Sequence, residues 1–330
     1  MLTSLARIKA EQRVRILLVG CSGFVGRALV PLLLEQGHRL TLVSRSARPL
    51  AALEHPQLQR LQADPAQASS WQRPELQQAL AAAQAVVNLA GEPIAEKRWS
   101  PAHVQLLHDS RIGTTRALVA ALAALPQGQR PQVLISGSAV GYYGTSSTAR
   151  FEESSPAGGD VLGRLCAAWE AEARAAEPFS RVVILRIGIV LAADGGALGK
   201  MLPVFRLGFG GPIGSGRQWM SWISRRDLCR LIATALSDPT YGGTYNAVGP
   251  QPCSMASFAT ALGRSLGRPS LLPVPAPMLQ LLLGDGARVV LEGQQVLPQR
   301  LLQQGFHFED AELSAALAAA TSSGTSPARR

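Results

Sequence analysis

The stretch GCSGFVG sets Gly20, Gly23 and Gly26 three residues apart, between an apolar run and an amphipathic one. Each glycine has its own physical task. Gly20 permits a sharp bend, Gly23 keeps a Cβ out of the path of a pyrophosphate, and Gly26 lets a helix pack closely on a strand. With Ser22, Phe24 and Val25 they form a cradle at a helix start, where unpaired N–H groups and the positive dipole end attract phosphates. Nineteen residues beyond Gly26 stand Ser44 and Arg45. A carboxylate there would take the ribose hydroxyls of NAD and repel a 2′-phosphate, whereas a hydroxyl and a guanidinium pair with one. The expected cofactor is therefore NADP(H). Leu89, Ala90 and Gly91 in NLAGEP bring small residues to the same region and leave room for the adenosine ribose.

These residues need a scaffold that alternates strand and helix. Short apolar runs predict strands over 15–20, 40–44, 85–89, 132–136 and 182–188, with helices near 73–83, 101–125 and 163–176 between them. Right-handed crossovers of that length give an α/β fold, a doubly wound Rossmann parallel sheet. After Asp194 a glycine-rich, proline-punctuated tract departs from the pattern. The expected division is an NADP-binding domain over 14–195, with elements near 220–250 returning to it, and a smaller C-terminal α+β substrate lobe over 196–325. Residues 1–13 read as a loose extension and the last ten as a disordered end.

Composition narrows the function. With 330 residues, 47% of them hydrophobic, the chain can bury a large core. The four cysteines lie far apart without a CxxC pair, and His103 and His108 lack a third ligand nearby, so neither disulfides nor a metal is expected. A reducing, cytoplasmic compartment suits such a chain. The net charge is +10, but all except three of the 32 basic residues are scattered arginines, which gives no basic stripe for nucleic acid. No apolar run reaches the ~18 residues of a transmembrane segment, and the N-terminus carries no apolar signal core. A small-molecule ligand is the expected partner, and the oligomeric state stays open.

NLAGEPIAEKRW, LISGSAVGYYG and GGALGKMLPVFRLGFGGPIGSGRQ, in that order, resemble the signature stretches of YfcH-type epimerase-family proteins. These are atypical extended short-chain dehydrogenase/reductases with a family-specific C-terminal domain, here about 273–320. The resemblance implies an NADP-binding Rossmann fold and cofactor contacts from Ser44, Arg45, Leu89, Ala90, Arg111 and Val190. Where members commonly read WIHxDD this chain reads WISRRD, so Ser224 replaces a histidine.

Short-chain dehydrogenases usually carry Tyr and Lys four apart on one helix, the cation lowering the phenol pKa for acid/base work. This chain cannot: its lysines are Lys9, Lys97 and Lys200, preceded at four residues by Leu5, Pro93 and Gly196. In DVLGRLCAAWE, Asp160 and Arg164 are expected in the places of the pair. The catalytic candidates that remain are Ser138, to polarise a carbonyl, and Tyr142 or Tyr143, to donate a proton. A local turn bond for Ser138 and packing for the tyrosines are equally open. Lys97, Arg98, Lys200 and Arg217 are candidate substrate contacts, Arg217 because GSGRQ resembles the segment where related epimerases hold a nucleotide-sugar diphosphate. Two functions follow as expectations: an NADP-dependent oxidoreductase or epimerase, or a non-catalytic NADP(H)-binding regulator such as a cell-division-related factor.

Overall fold

The computed structural model describes residues 13–322, so the expected extension up to residue 12 and the tail from residue 323 lie outside the described residues. The first strand, β1 (Arg15–Val19), shows how the sheet is built. Its side chains alternate: Ile16 and Leu18 pack with Leu29 and Leu33 of helix α1 (Gly26–Glu35), and Leu17 and Val19 pack on the other face. A strand covered on both faces must be apolar throughout, which is why RILLV shows no polar alternation.

Strands β2 (Arg39–Ser44), β3 (Leu58–Gln62), β4 (Ala85–Asn88), β5 (Val133–Ala139), β6 (Arg181–Ile187) and β7 (Gly243–Ala247) join β1 in one parallel seven-stranded sheet. The order is β7-β6-β5-β4-β1-β2-β3, so the winding reverses between β1 and β4 and opens a crevice at their carboxyl ends. One face is covered by α2 (Pro74–Ala82), then α3 (Pro101–His108), a π turn at Asp109–Gly113, α4 (Thr114–Ala123), and α5 (Val161–Arg174). Sequence reading left β3 unassigned, because in LQRLQ only Leu58 is buried, as suits an edge strand.

The smaller α+β lobe has its own core. Its helices α6 (Gly196–Arg206) and α8 (Met255–Leu266) flank α7 (Arg225–Ser237) in the chain, with α9 (Ala276–Leu283) and a last helix Leu313–Ser322 beyond them. Leu198, Leu202 and Phe205 of α6 meet Phe258 and Leu262 of α8 and Leu317 of the last helix. α7 instead covers the first face of the sheet beside α1. Its start explains the departure at Ser224: the hydroxyl caps the helix by accepting from Asp227 N at 3.0 Å. Asp227, fully buried, accepts from the backbone N of Glu309 and Asp310, both at 2.9 Å, and pins that segment to the sheet layer.

Candidate functional site

The glycine turn occupies the β1/β4 crevice. Gly20 has φ +72°, and a Cβ there would overlap the backbone of Leu89 and Ala90. A Cβ on Gly26 would overlap the Cys21 carbonyl, so only glycine lets α1 approach β1 this closely. Gly23 differs, because the space above it is open and its nearest neighbour is the Gly20 carbonyl at 3.8 Å. That opening is what a phosphate group needs at a helix N-terminus. At the end of β4 Asn88 is fully buried; its Oδ1 accepts from Ala90 N at 3.2 Å and its Nδ2 donates to Thr115 Oγ1 at 2.9 Å. Asn88 escaped sequence reading, although a lone amide ending an apolar strand was the available signal.

At the end of β2, Ser44 is buried and its Oγ accepts from Ser46 N, whereas Arg45 is exposed. The Arg45 guanidinium has no ion-pair, hydrogen-bond or ring partner among the described residues. Arg111 sits in the π turn below Gly91, buried, donating to the Glu92 carbonyl at 2.9 Å and lying 5.4 Å from the Trp169 ring centroid; burial lowers its pKa. Phe24 packs against Gly195 and Gly196, with Arg225 4.9 Å above its ring. Val25 directly precedes α1, and Val190 lies in the short strand Ile189–Leu191, paired with Trp222–Ser224. Ser22 is exposed on the turn.

Further along the same carboxyl edge, beyond β5 and β6, a cavity of about 840 Å³ opens between the sheet and the C-terminal lobe. Ala139, Ile187 and Gly188 form its floor, and Trp99, Trp219 and His108 contribute walls. The helix α5 turns Leu162 and Cys166 toward it, four apart, with its N-cap Asp160 at the rim. This corrects the expected register: Asp160 accepts from Gly163 N at 2.7 Å as the cap, and Arg164 is exposed and bonds the Gly159 carbonyl. An aliphatic side chain and a thiol cannot perform a phenol–ammonium relay. Burial pushes the Cys166 thiol up to about 12, so it stays protonated at neutral pH.

The three catalytic candidates lie behind this wall and do not line the cavity. Ser138 donates to Glu170 Oε1 at 2.8 Å, and Glu170 holds Arg186 through bonds of 2.7 and 2.9 Å. Burial disfavours the Arg186 cation, but bonds from Glu170 and Tyr143 outweigh it and raise its pKa. Arg186 donates to Tyr143 Oη at 2.8 Å, Tyr143 donates to Asn246 Oδ1 at 2.6 Å, and the guanidinium carbon lies 3.3 Å from the Tyr142 ring centroid. Burial raises the Tyr143 phenol to about 12, against the lowering pull of Arg186. The four substrate candidates, by contrast, are not brought together. Lys97 pairs with Glu92 and Lys200 with Glu96, Arg98 donates to the Leu281 carbonyl, and Arg217 is exposed. None of them lines the cavity.

With this geometry in hand, similarity to known proteins decides the family. Residues 16–248 match the NAD dependent epimerase/dehydratase family, and residues 274–320 match a domain of unknown function (DUF1731). The chain belongs to the NAD dependent epimerase/dehydratase family. Within that family it is 43% identical over 303 residues to the epimerase family protein SDR39U1 homolog, chloroplastic, of Arabidopsis thaliana, covering 91% of this chain and 84% of that protein. It superposes on the crystal structure of human epimerase family protein SDR39U1 (isoform2) with NADPH at a TM-score of 0.81 and 37% identity, covering 93% of this chain and 99% of that one. A nucleoside-diphosphate sugar epimerase from Corynebacterium glutamicum follows at a TM-score of 0.71 and 27% identity, covering 97% of this chain and 61% of that one. The pairing of the two matched regions marks this chain as an atypical extended short-chain dehydrogenase/reductase.

Proposed function

We propose that this chain is an NADP(H)-dependent oxidoreductase that reduces a small uncharged acceptor in the 840 Å³ cavity. One observation carries the reading: the cavity and the glycine turn share one sheet edge, so one dinucleotide has a phosphate cradle at one end and a ligand chamber at the other. Gly20, Gly23 and Gly26 would hold the pyrophosphate, and Arg45 with Ser44 the 2′-phosphate. The 37% identical human protein crystallised with NADPH supports the same coenzyme here. When bound, NADPH supplies a hydride.

The wall lacks a phenol–ammonium pair. Leu162 and Cys166 face the cavity instead, so a proton given to or taken from a substrate must pass through another lining residue. A carbonyl receiving hydride then needs a proton, for which His108 is the wall residue that carries an exchangeable ring N–H. The lining also carries three carboxylates, Asp160, Asp285 and Glu292, against one arginine. That arginine, Arg288, is itself paired with Glu292 at 3.0 Å. Such a lining suits an uncharged acceptor better than a nucleoside diphosphate. All four cysteines are free, in keeping with a reducing compartment such as the cytoplasm.

A second reading, a protein that binds NADP(H) without turnover, is favoured by the withdrawal of Ser138 and Tyr143 into the buried network. The two separate when purified protein and NADPH are offered ketones, quinones and nucleotide sugars. NADPH oxidation with uncharged acceptors is expected, slowed about 100-fold by His108→Asn with coenzyme affinity unchanged. Tight NADPH binding with no oxidation by any acceptor would leave the second reading standing.

A further inference from the structure

Large apolar side chains occur singly on most soluble surfaces, whereas contiguous ones mark an interaction face. The C-terminal lobe exposes four on two adjoining loops and three on helix α9. Leu207 and Phe209, 72% and 61% exposed, sit on the loop after α6, and Leu271 and Leu272, 81% and 52% exposed, sit on the loop after α8. The loops form one surface, since Leu272 N donates to the Gly210 carbonyl at 3.1 Å and Pro269 lies against Gly208. An isolated bridge from Ile213 to Val274 leads on to α9, where Leu281 and Leu282 are 75% and 60% exposed. α9 has no fully buried residue, and packing within the chain half-covers Leu279 and Leu283 but leaves Met278, Leu281 and Leu282 exposed.

The rim of this face is positive. Arg206, Arg264 and Arg268 are exposed, and their guanidinium groups have no partner among the described residues. No Asp or Glu occurs between residues 195 and 226 or between residues 239 and 284. A twofold contact with a second copy would therefore set these arginines against one another with no carboxylate between them. An anionic bilayer surface meets both requirements, phosphates for the arginines and an acyl boundary for leucine and phenylalanine tips on loops.

We propose that this face of the C-terminal lobe docks on anionic lipid membranes. The test is co-sedimentation of the full chain with vesicles of phosphatidylcholine containing about one-third phosphatidylglycerol, beside vesicles of phosphatidylcholine alone. Binding to the anionic vesicles is expected, weakening as salt is added. Phe209→Asp combined with Leu271→Asp is expected to reduce it at least tenfold, and Arg206→Gln or Arg268→Gln about fivefold each. Both sets change exposed side chains, so thermal melting and NADPH binding should match the unsubstituted protein and separate lost docking from lost folding. Failure to bind anionic vesicles overturns the proposal. So does a dimer in sedimentation velocity that Phe209→Asp dissociates, because a second copy then covers the face.

Discussion

The two halves of the sheet's carboxyl edge are built by opposite means. At the β1/β4 crevice the working surface is backbone: three glycines remove side chains so that amides can face a ligand. Beyond β5 and β6 the surface is side chain, and the serine and tyrosines read from the sequence as catalytic have been drawn away from it. Ser138, Tyr143, Glu170 and Arg186 satisfy one another in a buried network, leaving Leu162 and Cys166 to face the cavity. The contrast teaches that the coenzyme cradle and a phenol–ammonium relay are separable properties of this fold, since this chain keeps the geometry of the first without the side chains of the second.

Four substitutions would break or sharpen that contrast. The largest effect is expected from Glu170→Ala, which strands Arg186 in the interior without its counter-ion. Chemical denaturation should register a loss of about 3–5 kcal/mol. Next, the neutral form of Tyr143 is favoured by folding, its pKa lying near 12 against about 10 when unfolded. Its contribution is therefore complete below pH 10 and lost as pH rises from there through 12. The loss amounts to about 2–3 kcal/mol, and Tyr143→Phe should flatten that alkaline limb of the stability profile. Arg45→Ala should weaken NADPH by about 1.5–3 kcal/mol while hardly changing NADH. Equal losses for the two coenzymes in calorimetry would remove the 2′-phosphate role. Smallest is Ser138→Ala, expected to lower stability by about 1 kcal/mol through one lost hydrogen bond and to leave any NADPH oxidation rate within twofold. A large fall in that rate would return Ser138 to the reaction.

The first half of the edge was legible in the sequence because its physics is local. A turn that needs a positive φ at Gly20 and no Cβ at Gly26 writes itself into adjacent residues, and the strand patterns around it fix the sheet. The second half was not, because its partners meet only in three dimensions. Glu170 and Arg186 lie 16 positions apart, on a helix and a strand, and Tyr143 and Asn246 lie 103 apart. The register of α5 also escaped reading. Which of its faces meets the cavity depends on Leu165 and Trp169 packing against Leu107 and Ile112, a tertiary matter that the stretch DVLGRLCAAWE does not reveal. Ser224, read as a lost histidine, is a helix cap, a role visible in the spacing of Ser224 and Asp227 once α7 is known to start there.

That cap has a consequence for how the chain can be cut. The buried Asp227 carboxylate accepts from Arg230 Nη1 at 3.0 Å and from two backbone amides that arrive more than eighty residues later. Shortening the protein to end before Glu309 would leave a charged group inside the sheet layer with those two donors gone. The tail is thus woven into the nucleotide-binding half, and an expression fragment that stops at the end of β7 should unfold at a lower denaturant concentration than the whole chain.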